Sequence, residues 1–225
     1  MNRLEGFTSE LFDYFICHDD ETTRKFVVNF AQQFAEQLQL RLFKLNSFFD
    51  GYDIGRLEKK HTFLWIGFGP KGEKYRDLAH LTIVTSSAGI EVLANIELKP
   101  AVDKLRGKIN ANRATFRKHV AKLSTDRPSW LRLEERTQKQ ASIYHYTKIA
   151  EIDLTAIKHK QIGILGFEYI EGILSKLQYP YISIRKLVSR NEILRIPPKT
   201  RGNAVMNNLV SISKEFNPII EFINR

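Results

Sequence analysis

From Leu81 to Leu98 the chain reads as one hairpin, and no other segment constrains its fold as tightly. Leu81-Thr82-Ile83-Val84-Thr85 is a strand, Ser86-Ser87-Ala88-Gly89 has the composition of a turn, and the chain returns as Ile90 to Leu98. Side chains alternate across a strand, so Ile90, Val92, Ala94, Ile96 and Leu98 share one face. Glu91, Asn95, Glu97 and Lys99 share the other, with Leu93 the exception. The pattern predicts one face on the core and Glu97 at a solvent-facing strand end. Thr62-Phe63-Leu64-Trp65-Ile66-Gly67-Phe68 is apolar on both faces and is predicted to be a central strand, broken by Gly69-Pro70-Lys71-Gly72. Trp65, Ile66, Phe68, Val92 and Ile96 are the expected buried sheet residues.

Helical periodicity flanks this sheet. Val27, Phe30, Phe34 and Leu38 make one apolar stripe, which predicts a helix over Glu21–Leu40 with Asp19 or Asp20 capping its free N–H groups. Leu40 to Leu45 reads as a strand and Asp50 to Lys60 as a loop. Pro100 suits the first turn of a second helix. Its stripe is Val102, Leu105, Ile109, Phe116, Val120 and Leu123, interrupted near Asn110-Ala111-Asn112. Arg127 to Trp130 reads as a loop. Beyond it the expected elements are a strand over Tyr144–Ile152, a helix over Phe167–Leu177 and a strand over Tyr181–Ile184. Arg195 to Gly202 reads as a rigid basic loop, and Ala204–Phe216 as a helix halted by Pro218. Strands and helices come in blocks, which predicts an α+β fold, a largely antiparallel sheet covered by helices. The reading is a single compact domain over 1–225, with its weakest join near Ser124–Gln140.

A chain of 225 residues with 43% hydrophobic content and fifteen Phe can fill a sizeable core, which argues against disorder. Cys17 is the only cysteine, so an intramolecular disulfide and a cysteine-built zinc site are excluded. No stretch has the ~18 apolar residues of a membrane span. No charged start leads into an apolar signal run, so a cytoplasmic location is expected.

Charge points to a partner. Between Lys99 and Lys139 stand twelve Lys/Arg and four acids (Asp103, Asp126, Glu134, Glu135), so this segment holds +8 of the chain's +10. Asp103 is the only acid from Lys99 to Lys122. Such one-sidedness predicts binding of nucleic acid or another polyanion. The residues expected to carry it are Lys104, Lys108, Arg113, Arg117, Lys118, Lys122 and Arg127, helped by the Lys199/Arg201 loop. Trp130, between Arg127 and Arg132, is placed to stack on a base. An acidic protein or a membrane surface is the alternative partner. No helix-turn-helix spacing, zinc finger or RNA-recognition consensus occurs.

Motifs for chemistry are few. The six histidines lack zinc-protease spacing, Gly67 to Gly72 lacks the Gly-Lys-Ser/Thr ending of a phosphate loop, and no Gly-x-Ser-x-Gly elbow occurs. What remains is Glu97-Leu98-Lys99, the carboxylate-x-lysine arrangement that metal-dependent nucleases present to a phosphate. Asp77 falls about opposite Lys99 across the hairpin. The alternative reading is therefore a magnesium-dependent phosphodiesterase. In it, Asp77 and Glu97 hold the metal and Lys99 stabilises the developing charge. Without that reaction no cofactor is expected.

Spaced features along most of the chain resemble the YktB-like family of bacterial proteins. Gly6-Phe7-Thr8 with Phe12-Asp13 and Phe15 is similar to that family's opening motif. Trp65, Gly69-Pro70-Lys71, Tyr75-Arg76 and His80 resemble its central strand–loop–strand, and Phe216-Asn217-Pro218 its closing segment. The resemblance implies an α+β domain and no activity.

Overall fold

Blocks of alternating and helical periodicity become blocks of strands and helices in a computed structural model of the protein, and the fold is α+β. The structure describes residues 6–17, 21–57, 62–72, 74–123, 126–140, 143–155, 168–169, 171–172, 176 and 180–225. In chain order the elements are α1 (Ser9–Cys17), α2 (Glu21–Leu45), β1 (Gly51–Ile54), β2 (Phe63–Gly69), β3 (His80–Ser86) and β4 (Gly89–Ile96). They continue with α3 (Lys99–Ala121), β5 (Ser129–Gln140), β6 (Ile143–Asp153), β7 (Pro180–Ser189), α4 (Arg190–Arg195) and α5 (Pro198–Asn224). The seven strands order as β1-β2-β3-β4-β7-β5-β6. The expected cap at Asp19 or Asp20 and most of the expected helix Phe167–Leu177 lie outside the described residues.

Two compact units make up the chain. The first contains Met1–Glu73, Leu81–Val92 and Leu187–Lys214; the second contains Lys74–His80, Leu93–Lys186 and Glu215–Arg225.

In the first unit α2 buries Val27, Phe30, Phe34 and Leu38, the stripe read from the sequence. Each such side chain contributes about 1.5–3 kcal/mol on burial. Phe7 meets the rings of Phe30 and Phe34 edge-on at 4.9 and 5.6 Å. The expected strand Leu40–Leu45 is instead the end of this helix. Leu42 continues the i, i+4 step from Phe34 and Leu38 and is fully buried, and no breaker intervenes before Asn46. The expected loop Asp50–Lys60 contains β1, which pairs antiparallel with β2. Trp65 is half-buried, not buried as expected. Leu64, Ile66 and Phe68 face the core, while Phe63 on the opposite pleat is 47% exposed. The Trp65 indole lies over Gly55, where a Cβ would come within 2.5 Å of its ring nitrogen.

Gly89 opens β4 at φ +135, and a Cβ there would meet the Val188 carbonyl at 2.3 Å. Only glycine suits that conformation and that approach. At the start of α4, Ser189 Oγ accepts from the Glu192 amide at 3.3 Å and the Glu192 carboxylate accepts from the Ser189 amide at 2.8 Å, a reciprocal capping box. Lys199 and Arg201, read as part of a loop, stand in the first turns of α5. Arg201 donates to the carbonyls of Ile196, Phe7 and Leu194 at 2.9, 2.9 and 3.0 Å, so it holds the N-terminal segment and the end of α4 in place.

In the second unit β5 pairs antiparallel with both β6 and β7. Ser129 and Trp130 belong to β5, not to the expected loop. The register sets Leu133 beside Ile182 and Leu131 beside Ile184, and all four are buried. Lys186, on that same face, is 1% accessible and reaches Glu215 at 2.6 Å. The α5 helix runs through Pro218 and does not stop there. Proline removes one helical hydrogen bond at a cost of about 3 kcal/mol. Burial of Ile219, Ile220 and Ile223 beyond it offsets that cost. Asn224 then clamps Ala79, accepting from its amide at 2.9 Å and donating to its carbonyl at 2.8 Å.

Candidate polyanion surface and the Glu97 cluster

The interruption expected near Asn110-Ala111-Asn112 is a restart of α3. Asn112 leaves helical geometry (φ −152, ψ 64), and its Oδ1 accepts from the Thr115 amide at 3.1 Å, as an N-cap does. Ala101, Val102, Leu105 and Ile109 are buried in the first half, and Phe116 and Val120 in the second. Phe116 lies 6.2 Å from the Phe222 ring.

With the apolar stripe turned inward, the basic residues occupy the flanks and the outer surface. Lys104, Lys118 and Lys122 are exposed and Lys108 is half-buried. Asp103 draws in Lys99 and, at 3.6 Å, Arg106. Arg113 reaches Glu171 at 3.1 Å. Arg117 and Arg127 are half-buried and engaged within the fold, and Trp130 is half-buried in β5. Four lysines remain. Lys104, Lys108, Lys118 and Lys122 make no ion pair among the described residues. Their field is felt locally at His119, beside the Phe222 ring. Burial lowers its pKa, and the charges of Lys122 and Lys118 lower it further.

The residues proposed for metal chemistry are placed differently. Glu97 is not solvent-facing. Its side chain is 7% accessible, and Arg76 Nε stands 2.7 Å from Oε1. Ile90, Val92, Ala94 and Ile96 are all buried as expected, but the Leu93, Asn95 and Glu97 face is covered too. Lys99 is paired with Asp103. Asp77 is half-buried in a 3-10 turn, Tyr75–Asp77, next to the arginine that holds Glu97. Among the described residues no three His, Cys, Asp or Glu side chains gather as a metal site.

What surrounds Glu97 is a buried polar cluster that sequence reasoning missed. Burial by itself would lower the Arg76 pKa, but Glu97, with Tyr75 and Tyr146, outweighs it and holds the guanidinium charged. His80 is 2% exposed. Its Nδ1 lies 3.0 Å from the Leu78 carbonyl, which only accepts, so Nδ1 carries the hydrogen. Its Nε2 faces Asn95 at 3.5 Å, and Tyr75 meets the ring edge-on at 4.9 Å. Burial drives the His80 pKa down to about 4 against the pull of the Leu78 carbonyl, and the charge of Arg76 lowers it further, so the ring is neutral. Tyr181 is pushed well above the ordinary tyrosine value, first by burial, with Arg185 opposing and Glu97, Tyr146 and Glu134 adding to it.

The β5–β7 register sets Arg132 beside Ser183 and Glu134 beside Tyr181, and the β5–β6 register sets Arg132 beside Glu151 and Glu134 beside Lys148. An ion-pair run follows along that face. Arg185 binds Glu134 at 3.1 Å, and Arg132 binds Glu151 at 2.6 Å and Glu134 at 3.9 Å. Arg132 and Glu134, both inside the basic segment, thus balance internally, and among the described side chains the lysines of the segment without ion pairs lie on α3. The signal for this cluster was the spacing Tyr75-Arg76 and His80 before a strand, together with Tyr181-x-Ser183-x-Arg185, polar at every second position and alternating with Ile182 and Ile184.

Among the described residues no helix is long and apolar enough to cross a membrane. No protein-family model matches the chain, and no curated protein matches it.

Proposed function

We propose that the protein binds nucleic acid or another phosphate-rich polyanion through α3, and that it binds without cleaving. One observation carries this reading. Lys104, Lys108, Lys118 and Lys122 lack carboxylate partners among the described residues, whereas Arg76, Arg113, Arg132, Arg185, Arg190 and Lys186 all have them. A lysine row without internal counterions is available to neutralise phosphates, and each phosphate so neutralised releases cations condensed on the polyanion, which favours binding. Phosphate contact reads no sequence, so the expected binding tolerates any base order.

The magnesium-dependent alternative is not carried forward. An ion at Glu97 would have to displace Arg76 from 2.7 Å, and Lys99 is engaged by Asp103. Retention of the full chain on a DNA or RNA column at low salt, and its release by nuclease, tests the reading. Retention on an acidic protein that resists nuclease would assign the lysines to a different partner.

A further inference from the structure

A second cationic feature lies in the first unit, in the cleft where α2 faces α5. Its walls are Arg41 and Lys44 from α2 and Asn207, Val210, Ser211 and Lys214 from α5, around a volume of about 390 Å³. The spacing explains the convergence. Residues three and four apart share a helix face, so Arg41 and Lys44 oppose the row Asn207, Val210, Ser211 and Lys214.

Arg41 is held by side-chain amides. Its Nη1 donates to Asn207 Oδ1 at 2.7 Å and its Nη2 to Asn203 Oδ1 at 3.4 Å. Carboxylates take several other arginines: Glu97 takes Arg76, Glu151 takes Arg132, Glu134 takes Arg185 and Asp13 takes Arg190. Backbone carbonyls take Arg201. Two neutral amides fix the Arg41 guanidinium in direction and leave its charge uncompensated. A guanidinium has five N–H donors, so donors remain after both amides are served. Lys44 and Lys214 make no ion pair or hydrogen bond among the described residues. No carboxylate lines the cleft, and Ser211 adds a hydroxyl donor.

We propose that this cleft binds a phosphate group, carried either by a small soluble molecule or by a lipid headgroup at a membrane surface. The chemistry is the same for both: an oriented guanidinium for two phosphate oxygens, two ammonium groups for the charge, and a hydroxyl to complete the shell. Leu40, four residues before Lys44 and so on the same side of α2, is 63% exposed. The site is distinct from the α3 surface and does not depend on it.

The test is a calorimetric titration of the full chain with inorganic pyrophosphate at low salt, beside flotation with vesicles of phosphatidylglycerol in phosphatidylcholine. Three proteins are compared: the unaltered chain, Lys44→Ala with Lys214→Ala, and Lys104→Ala with Lys118→Ala. Both lysine pairs are on the surface, so urea unfolding should show the same midpoint for all three. Pyrophosphate binding that weakens at least tenfold in the Lys44/Lys214 variant alone supports the cleft with a soluble ligand. Vesicle binding that needs phosphatidylglycerol and fails in that same variant supports it with a lipid headgroup. Absence of both kinds of binding, or binding lost instead in the Lys104/Lys118 variant, overturns the proposal; the second result would leave the α3 reading standing.

Discussion

Arg76 Nε stands 2.7 Å from Oε1 of Glu97, whose side chain keeps only 7% of its surface while the arginine keeps 45%. The pair is lopsided, a nearly dry carboxylate with a half-wet guanidinium, and this sets its energetics. Removing the arginine strands a buried charge; neutralising the glutamate does not. Arg76→Ala is therefore expected to lower stability by about 2–3 kcal/mol and Glu97→Gln by about 1 kcal/mol. Urea unfolding followed by circular dichroism measures both. Equal costs would mean that the carboxylate is not the buried partner.

His80 makes stability depend on pH. Its folded pKa, about 4, lies below the ordinary histidine value of 6.5, so the unfolded chain binds the extra proton between those two values. Stability from this residue is fully present above pH 6.5 and is lost as pH falls toward 4. A shift of that size corresponds to about 3 kcal/mol. His80→Gln should flatten the curve of unfolding free energy between about pH 6.5 and 4, relative to the unaltered protein. An unchanged slope would show that His80 does not account for it.

Asn112 caps the second half of α3. Replacing it with alanine removes the acceptor for the Thr115 amide and should cost about 1 kcal/mol, while Asn112→Ser should keep most of the stability. Comparing the two urea midpoints checks this. If Asn112→Ala unfolds at or above the unaltered midpoint, the break in α3 does not depend on that side chain.

Gly89→Ala meets two obstacles at once, a φ of +135 and a carbonyl 2.3 Å from the new Cβ. The expected loss is about 3 kcal/mol or more, since strained backbone and overpacking add. Gly72, also at positive φ but with nothing within 4 Å of a Cβ, should lose less on the same change. Thermal unfolding of the two variants side by side separates crowding from conformational strain.

The legible parts of the fold were those where one period excluded the others. Val27, Phe30, Phe34 and Leu38 fit a helix only, and Ile90, Val92, Ala94 and Ile96 fit a strand only; both are buried as expected. Leu40 to Leu45 fits both periods, since Leu40 and Leu42 alternate while Leu38 and Leu42 step by four. Continuation of the core under Leu42 decides for the helix. Pro218 looked like a stop because local hydrogen bonding disfavours it, yet the apolar residues on both sides of it belong to one buried stripe. Ser189 and Glu192 carry capping-box spacing, a start signal for α4 in a stretch to which the sequence reading assigned no element.

For the candidate site, the lysine row on α3 was legible because charge is a property of residues. The ion pairs that engage Arg113, Arg132 and Glu97 were not, because Glu171, Glu151 and Arg76 meet them only through tertiary contact. Glu97 shows the limit most clearly. Alternation places it opposite Ile96, but only the fold decides whether that second face is wet.

The most direct test of the central claim is the salt dependence of binding to a labelled DNA duplex, followed by fluorescence anisotropy. It compares the unaltered chain with a variant carrying Lys104→Gln, Lys108→Gln, Lys118→Gln and Lys122→Gln. Four lysine–phosphate contacts release counterions at about 0.9 per contact, so log affinity should fall against log salt with a slope of about −3 to −4. The variant should bind far more weakly, with a slope moved by about the same amount toward zero. A chain that does not bind the duplex at low salt, or a variant that keeps the unaltered affinity and slope, would contradict the assignment of α3 as the polyanion surface.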